Sequence, residues 1–535
     1  MRFLFAAAAA LMLVACGQQA GGGYDVEEKS IAQLQTDLTS GAVTSEQLVQ
    51  AYLNRIAEID DAGHNLNSVL ALNPNALEQA RALDQERAAG HVRGPLHGIP
   101  ILLKDNIETS ENATTAGSLA LAQNMTGRDA PLVTRLREAG AIILGKTNLS
   151  EWANIRSSSS TSGWSAVGGL TRNPYALDRN ACGSSSGSGT AAAASLAAIT
   201  IGTETDGSIV CPSSAAGLIG IKPTVGLVSR THVVPISHSQ DTAGPMGRTV
   251  ADVAAVLTVL AGSDPADAAT AEADARRVDY SAALDANALQ GKRIGVLRFQ
   301  AGFHARVDER FNAALEQLRA AGAEIVEIEA QPAGMDQVNN DELVILLAEL
   351  KSDLNTYLAS TPTQVTTRTL EQVIAFNTAT PAELALFGQE LFDQAQATQG
   401  VGDPRYIAAH ARAARTARQI LDGLMQNNRV DALVAPTQGA TWVTDVVNGD
   451  RFVGGGASTL PAVSGYPHVT VPMGLVDGLP VGLSFIGEAW SEAKLLSFAY
   501  AYEQRANARV VPTYARSVED MEPLAAALRQ NPPPR

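Results

Sequence analysis

The chain is poor in cysteine, in aromatic side chains and in positive charge. Of its 535 residues only three are cysteine, 5% are Phe, Trp or Tyr, and 39 Lys and Arg stand against 55 Asp and Glu. Three cysteines exclude a disulfide-stapled scaffold. One of them, Cys16, closes an N-terminal apolar stretch, and the other two, Cys182 and Cys211, are expected to be buried thiols rather than a bridge. A formal charge of −16 with no Lys/Arg block repels phosphate backbones and anionic lipid, so no nucleic-acid partner is expected. The eight histidines contain no H-E-x-x-H or other close pair and there is no C-x-x-C, so neither a metal nor a cofactor is expected. Charged residues are also sparse, at 18% against the roughly 25% of ordinary soluble domains. Apolar residues make up 45%, which is ample for a large core.

The first residues form a separate device. MRFLFAAAAALMLVAC carries one positive charge at Arg2 and an apolar run from Phe3 to Ala15, too short to cross a bilayer as a mature helix. Residues 1–15 therefore read as an export signal. Leu13-Val14-Ala15-Cys16 resembles the bacterial lipobox, which makes Cys16 the lipidated first residue of the mature chain. An ordinary secretory signal cut nearby is the alternative. Residues 16–24 have the composition of a flexible tether. The protein is expected to be exported and lipid-anchored at the cell envelope, periplasmic or on the outer membrane if the host is Gram-negative. Its contact with membrane would be through the anchor alone.

Beyond Tyr24, helical and extended patterns alternate. Thr44-Ser45-Glu46-Gln47 forms a capping box ahead of the helix QLVQAYLNRIAEID. Apolar runs near residues 67–72, 99–103, 141–144, 294–297, 432–435, 469–471 and 481–486 predict buried strands. Helices are predicted between them, at 308–321 and 493–505 among others. This order gives an α/β fold, a large sheet covered by helices on both faces. Residues 335–430 lack strand signals and read as a helical insertion that shapes a pocket. The remainder of 25–515 forms one domain, followed by a tail at 516–535.

Two motif matches fail on context. Gly140 to Thr147 satisfies G-x-x-x-x-G-K-T, but Ala-Ile-Ile-Leu occupies the phosphate-cradling positions and is itself a strand pattern. Gly183-Ser184-Ser185-Ser186-Gly187 fits G-x-S-x-G, which would make Ser185 an esterase nucleophile. That elbow needs a buried strand just before it, whereas LTRNPYALDRNAC is polar and contains Pro174. A flexible Gly/Ser linker is the bland reading of the same stretch, but a linker would not run on into AAAASLAAITIG, a helix pattern leading to a buried strand.

GIPILLKDN (98–106), CGSSSGSG (182–189), GTETDGSIVCPSS (202–214) and GLIGIKPTVGLVSR (217–230) resemble, in this order, the amidase signature family. The likeness continues through DTAGPMGRTVADVAAVL (241–257) to SGYPHVTVPMG and GLPVGLSFIGEAWSE, and covers most of residues 25–510. Within the family, NPY at 173–175, IGTETDGSIVCP and KPTVGLVSR most resemble the bacterial peptide amidases. The resemblance implies the family's large, mixed, twisted sheet and its Ser-Ser-Lys triad. By motif the triad falls on Lys104, Ser184 and Ser208, with a cis peptide bond before Ser184. It also implies an oxyanion hole from the backbone of Thr205, Asp206, Gly207 and Ser208. Ser185, Ser186 and Ser188 would hydrogen-bond the setting, and Gly183, Gly187 and Gly189 would supply dihedrals other residues avoid.

The chemistry explains these residue types. A serine hydroxyl is a weak nucleophile at neutral pH and needs a base within reach. Lysine, with a reference pKa of about 10.4, serves only where burial or donors favour its neutral form. Lys104 follows Ile101-Leu102-Leu103, so desolvation is expected, and Asp105 would oppose it if it pointed inward. Asp206 stands where many family members carry glycine, which points either to a side-chain contact or to a turn-stabilising role. Val210 stands where family members that use free glutamine carry Arg, so a substrate carboxylate finds no partner there.

The expected activity is a serine amidase working through an acyl-enzyme on C-terminal amides of peptides or N-acylated amino acids. Fatty, aryl or other small amides are the alternative within the family. A G-x-S-x-G esterase or a solute-binding lipoprotein would be the reading outside it.

Overall fold

The computed structural model describes residues 23–529. The signal at 1–15 and the lipidation site Cys16 lie outside the described residues. Thirteen strands are found among them: β1 Val69–Leu72, β2 Pro100–Lys104, β3 Ile142–Thr147, β4 Trp164–Ser165, β5 Gly169–Leu170, β6 Ile199–Glu204, β7 Ile219–Lys222, β8 Thr242–Gly247, β9 Arg293–Leu297, β10 Glu324–Ile328, β11 Ala432–Pro436, β12 His468–Val476 and β13 Leu479–Ile486. All but the small β4–β5 hairpin join one mixed sheet of eleven strands, in the order β1-β3-β2-β6-β8-β7-β12-β13-β11-β9-β10.

The central strands are buried along their whole length because helices cover both faces of the sheet. One group, Val250–Leu260, Ala305–Ala320 and Glu492–Ala506, packs together and on the sheet. Another pair, Ser186–Ala193 and Val210–Ala215, carries the serine-rich segment and packs on the strands around β6 and β7. Thr44 caps its helix as the sequence predicts: its hydroxyl accepts from Gln47 N–H at 3.1 Å, and the Gln47 side chain accepts from Thr44 N–H at 3.0 Å.

Three neighbouring strands, β3, β2 and β6, run parallel, and their last residues are polar: Lys146-Thr147, Lys104 and Thr203-Glu204. A polar rim is thereby gathered at the carboxyl edge of an otherwise apolar sheet, where open α/β sheets bind ligands. The segment Gly140–Thr147 is spent on this sheet, so it forms no phosphate loop. Lys146 is buried against Asp105 at 3.0 Å.

Strands β7, β8 and β10 were not among the predicted runs. TAGPMG (242–247) carries the Gly and Pro that signal turns, yet pairing with β6 on one side and β7 on the other makes it a strand. β10 has Glu324 and Glu327 on a sheet edge, where charge discourages further pairing.

Between β10 and β11 come the helices Met335–Ala359, Leu370–Ala379, Glu390–Ala397 and Pro404–Asn428. They pack into two apolar clusters together with strand residues such as Leu297 and Leu433 and loop residues such as Trp152. Of the tail at 516–535, residues up to 529 are described, and part of it packs on the fold. Val518 is buried, and Met521 and Leu524 pack with it on Tyr175 and Leu479.

Candidate active site

Lys104, the last residue of β2, is fully buried. Its Nζ donates to Ser184 Oγ at 2.7 Å, to Thr203 Oγ1 at 2.9 Å and to the Thr203 carbonyl at 3.2 Å. Asn106 Nδ2 holds the same Thr203 hydroxyl at 2.9 Å. Burial brings the Lys104 ammonium down to about 7, against the opposing pull of the Asp241 and Glu204 carboxylates. Asp105 takes no part, because its carboxylate faces Lys146 and the Thr115 N–H instead. Lys104 is thus poised between charged and neutral forms at neutral pH. When neutral, it has a lone pair for the Ser184 proton.

Ser184 lies at the start of the loop ahead of the helix Ser186–Ala193, and the Gly183–Ser184 peptide bond is cis. Ser208 follows the turn after β6. Its backbone carbonyl accepts from Ser185 N–H at 3.2 Å, and its hydroxyl has no hydrogen-bond partner among the described residues. The turn places Gly207 at φ +75°, a conformation glycine adopts without steric cost. The backbone N–H groups of Asp206, Gly207 and Ser208 also have no acceptor among the described residues. Those of Ile209 and Val210 are held by the Glu204 carboxylate at 2.7 and 3.0 Å. A nearly buried hydroxyl therefore shares its turn with N–H groups that have no acceptor, and the same turn is bonded to the segment that carries Ser184.

The amidase family model matches residues 47–496, so the match runs through every one of these positions. The chain belongs to the amidase family. A "Probable amidase" of Arabidopsis thaliana is 38% identical over 505 residues, covering 92% of each chain. Peptide amidase PAM, solved with the competitive inhibitor chymostatin, is 52% identical with a TM-score of 0.87, covering 91% of this chain and 99% of that one. The native peptide amidase of Stenotrophomonas maltophilia gives 51% and 0.86 over the same shares. The protein is an amidohydrolase acting on amides, built on the amidase signature fold.

In this amidase the neighbouring serines are bonded within the fold, and the glycines are needed for space. Ser185 Oγ donates to the Thr203 carbonyl at 3.0 Å and is buried, which leaves no exposed elbow nucleophile. Ser188 Oγ meets Thr147 Oγ1 at 2.7 Å. Gly183, Gly187 and Gly189 do not have positive φ. Space is the reason for them: a Cβ on Gly187 would stand 2.5 Å from the carbonyl oxygens of Asn148 and Ser68, and one on Gly183 would stand 2.2 Å from Ser150 Oγ.

Cys182 and Cys211 are a correction. They are joined as a disulfide, Cα to Cα 6.0 Å, where two free thiols are expected from the sequence. Spacing of 29 residues says nothing of proximity; the fold brings the two loops together.

Asp206 makes the side-chain contact. Thr459 Oγ1 donates to it at 2.9 Å, and the Glu342 carboxyl of the helical insertion lies against it. Burial, then Asp206, holds Glu342 well above the usual carboxylate range. Gln240 Nε2 donates to Glu342 at 2.8 Å.

A cavity of about 270 Å³ opens beside the turn, lined by Val210, Asp206, Asn154, Trp442, Asp450 and Phe452 among others. Four of these lining residues come from segments the motifs do not include: Asn154 from a left-handed stretch, φ +48°, +53° and +73° at 152–154, and Trp442, Asp450 and Phe452 from the loop after β11. Only tertiary packing could reveal them. The same holds for His238, Glu349 and Asp353, whose ligand-type atoms lie within 4.8 Å of one another. They are hydrogen-bonded already, with His238 Nδ1 at 2.8 Å from Asp353 and Tyr406 OH donating to Glu349 at 2.8 Å.

Proposed function

We propose that this amidase hydrolyses C-terminal carboxamides of peptides or N-acylated amino acids, with Ser208 as nucleophile, Ser184 as proton relay and Lys104 as base. Neutral Lys104 takes the Ser184 proton as Ser184 takes that of Ser208 and Ser208 Oγ adds to the amide carbon. The oxygen then carries negative charge, and the N–H groups of the 205–208 turn receive it. Loss of one such donor typically costs about 3–4 kcal/mol. Collapse expels ammonia, with the proton returned through Ser184, and water hydrolyses the acyl-enzyme by the same route.

The carrying observation is the 2.7 Å hydrogen bond from a buried lysine to Ser184 beside a turn of unengaged N–H groups. For the substrate, the support is the 52% identity to a peptide amidase and the apolar Val210 in the cavity wall, which offers no partner to a free carboxylate. The domain division at 25–515 with its insertion at 335–430, and lipid anchoring through Cys16, belong to the same reading.

The test is a mass-spectrometric screen of peptide amides, aryl acylamides, fatty amides and free glutamine. A gain of about one dalton at peptide C-termini, with internal bonds uncut, is the expected outcome. Preference for fatty or aryl amides would overturn the peptide assignment and leave the triad in place.

A further inference from the structure

We propose that the Cys182–Cys211 disulfide is a positioning link for the reaction, clasping the Ser184 loop to the Ser208 turn, and that a dithiol reductant slows catalysis by opening it. The inference rests on Ser184 and Ser208 being the reacting pair. Cys182 stands two residues before Ser184 and Cys211 three after Ser208, so the bridge joins the two catalytic segments at almost their closest available points. Among the described residues, the only direct hydrogen bond between segments 180–185 and 205–211 is that from Ser185 N–H to the Ser208 carbonyl, at 3.2 Å. Their other ties run one step back, through Thr203 of β6, which holds Ser185 Oγ and Lys104 Nζ, so the bridge is the one covalent link across the turn itself.

Each end of the link is fastened to its own segment. Cys182, in the left-handed region at φ +54°, has its N–H held by Asn180 Oδ1 at 2.7 Å. Cys211 donates its N–H to Gly207 O at 2.8 Å, within the turn itself, and its carbonyl accepts from Gln438 at 3.3 Å. A shift of either cysteine is therefore passed to a serine or to the oxyanion turn, and a misplacement of about 1 Å can cost about 10²-fold in rate.

Both cysteines line the 270 Å³ cavity, and Cys211 is only half-buried, so a small dithiol has a route to it. One thiolate of the reductant attacks a cystine sulfur and forms a mixed disulfide. Its second thiol then displaces the protein sulfur, leaving a cyclic disulfide, two protein thiols and the two protons they carry.

The experiment is non-reducing peptide mapping of the full chain, followed by kinetics of the wild type with and without dithiothreitol and of Cys182→Ser, Cys211→Ser and the double variant. A Cys182–Cys211 linked peptide is expected. So are a tenfold or greater fall in kcat with a smaller change in KM, an equal slowing of fluorophosphonate labelling at Ser208, and recovery when the reduced wild type is reoxidised. Leu318→Ala, in the core far from the site, serves as the control for simple loss of stability and should leave kcat unchanged. Unlinked cysteines in active protein, or unchanged kcat after confirmed reduction, would overturn the proposal. If the variants do not fold, the reduced wild type decides it. Absence of labelling at Ser208 in the oxidised wild type would instead reject the nucleophile assignment.

Discussion

Lys104 shows how much one buried residue can demand of its surroundings. A charged ammonium with no exposed atoms needs donors' partners on all sides, and Ser184 and Thr203 supply them. Because burial brings its proton affinity to about 7, kcat/KM is expected to rise with pH through an apparent midpoint near 7, as the neutral base appears. A profile flat from pH 6 to 9 would contradict Lys104 as the base. Ser208→Ala should lower kcat by about 10⁴-fold or more and abolish fluorophosphonate labelling, with Lys104→Ala nearly as damaging because such groups act as a unit. Labelling that persists at Ser185 in Ser208→Ala would restore the elbow reading. Histidine variants should keep the chemistry. His468, the histidine most deeply set in the sheet, is pushed down to about 3 by burial and is bonded to Ser484. The candidate residues were legible because they sit in contiguous motifs; Thr203 was inside one of them, but its hydrogen bonds to Lys104 required the register of β2 against β6.

At the scale of elements, the helical insertion supports the site in two places. Phe392 is fully buried and packs edge-on against Trp152, ring centroids 5.7 Å apart, beneath the left-handed segment that presents Asn154 to the cavity. Phe392→Ala is expected to cost about 3–5 kcal/mol in denaturant unfolding and to raise KM. An unchanged KM would detach this contact from the site. Elsewhere Glu342 of the helix Met335–Ala359 meets Asp206. A carboxyl raised above its unfolded value binds its proton more tightly in the folded chain. Its stabilisation is therefore full below the unfolded pKa of about 4.3 and is lost as pH rises through the folded value. Glu342→Gln keeps an uncharged partner at every pH, so the variant's Tm relative to wild type should climb from about pH 5 upward. A pH-independent difference would mean that no proton is held there. Strand runs such as ILL and IIL were readable from composition, but β8, full of Gly and Pro, became a strand only because both its edges are paired.

For the whole molecule, the address is the open prediction. If Cys16 carries lipid, the expressed full chain should partition with membranes, Cys16→Ala should move to the soluble fraction, and residues 25–535 should be soluble and active. Recovery of Cys16→Ala in the membrane fraction would reject the anchor. By itself the sequence determined the class of the fold, the apolar strands of its core and the family, and it singled out Lys104, Ser184 and Ser208 as the candidate residues. These follow from local signals: runs of apolar side chains, glycine and serine at fixed offsets, and a lysine closing a buried strand. The tertiary structure alone decided that Cys182 and Cys211 are bridged, that Asp206 faces Glu342 rather than stiffening its own turn, that the glycines are there for space, and which side chains line the cavity. Each of these joins residues from separate parts of the chain, and such proximity is set by sheet order and helix packing, which no local pattern encodes.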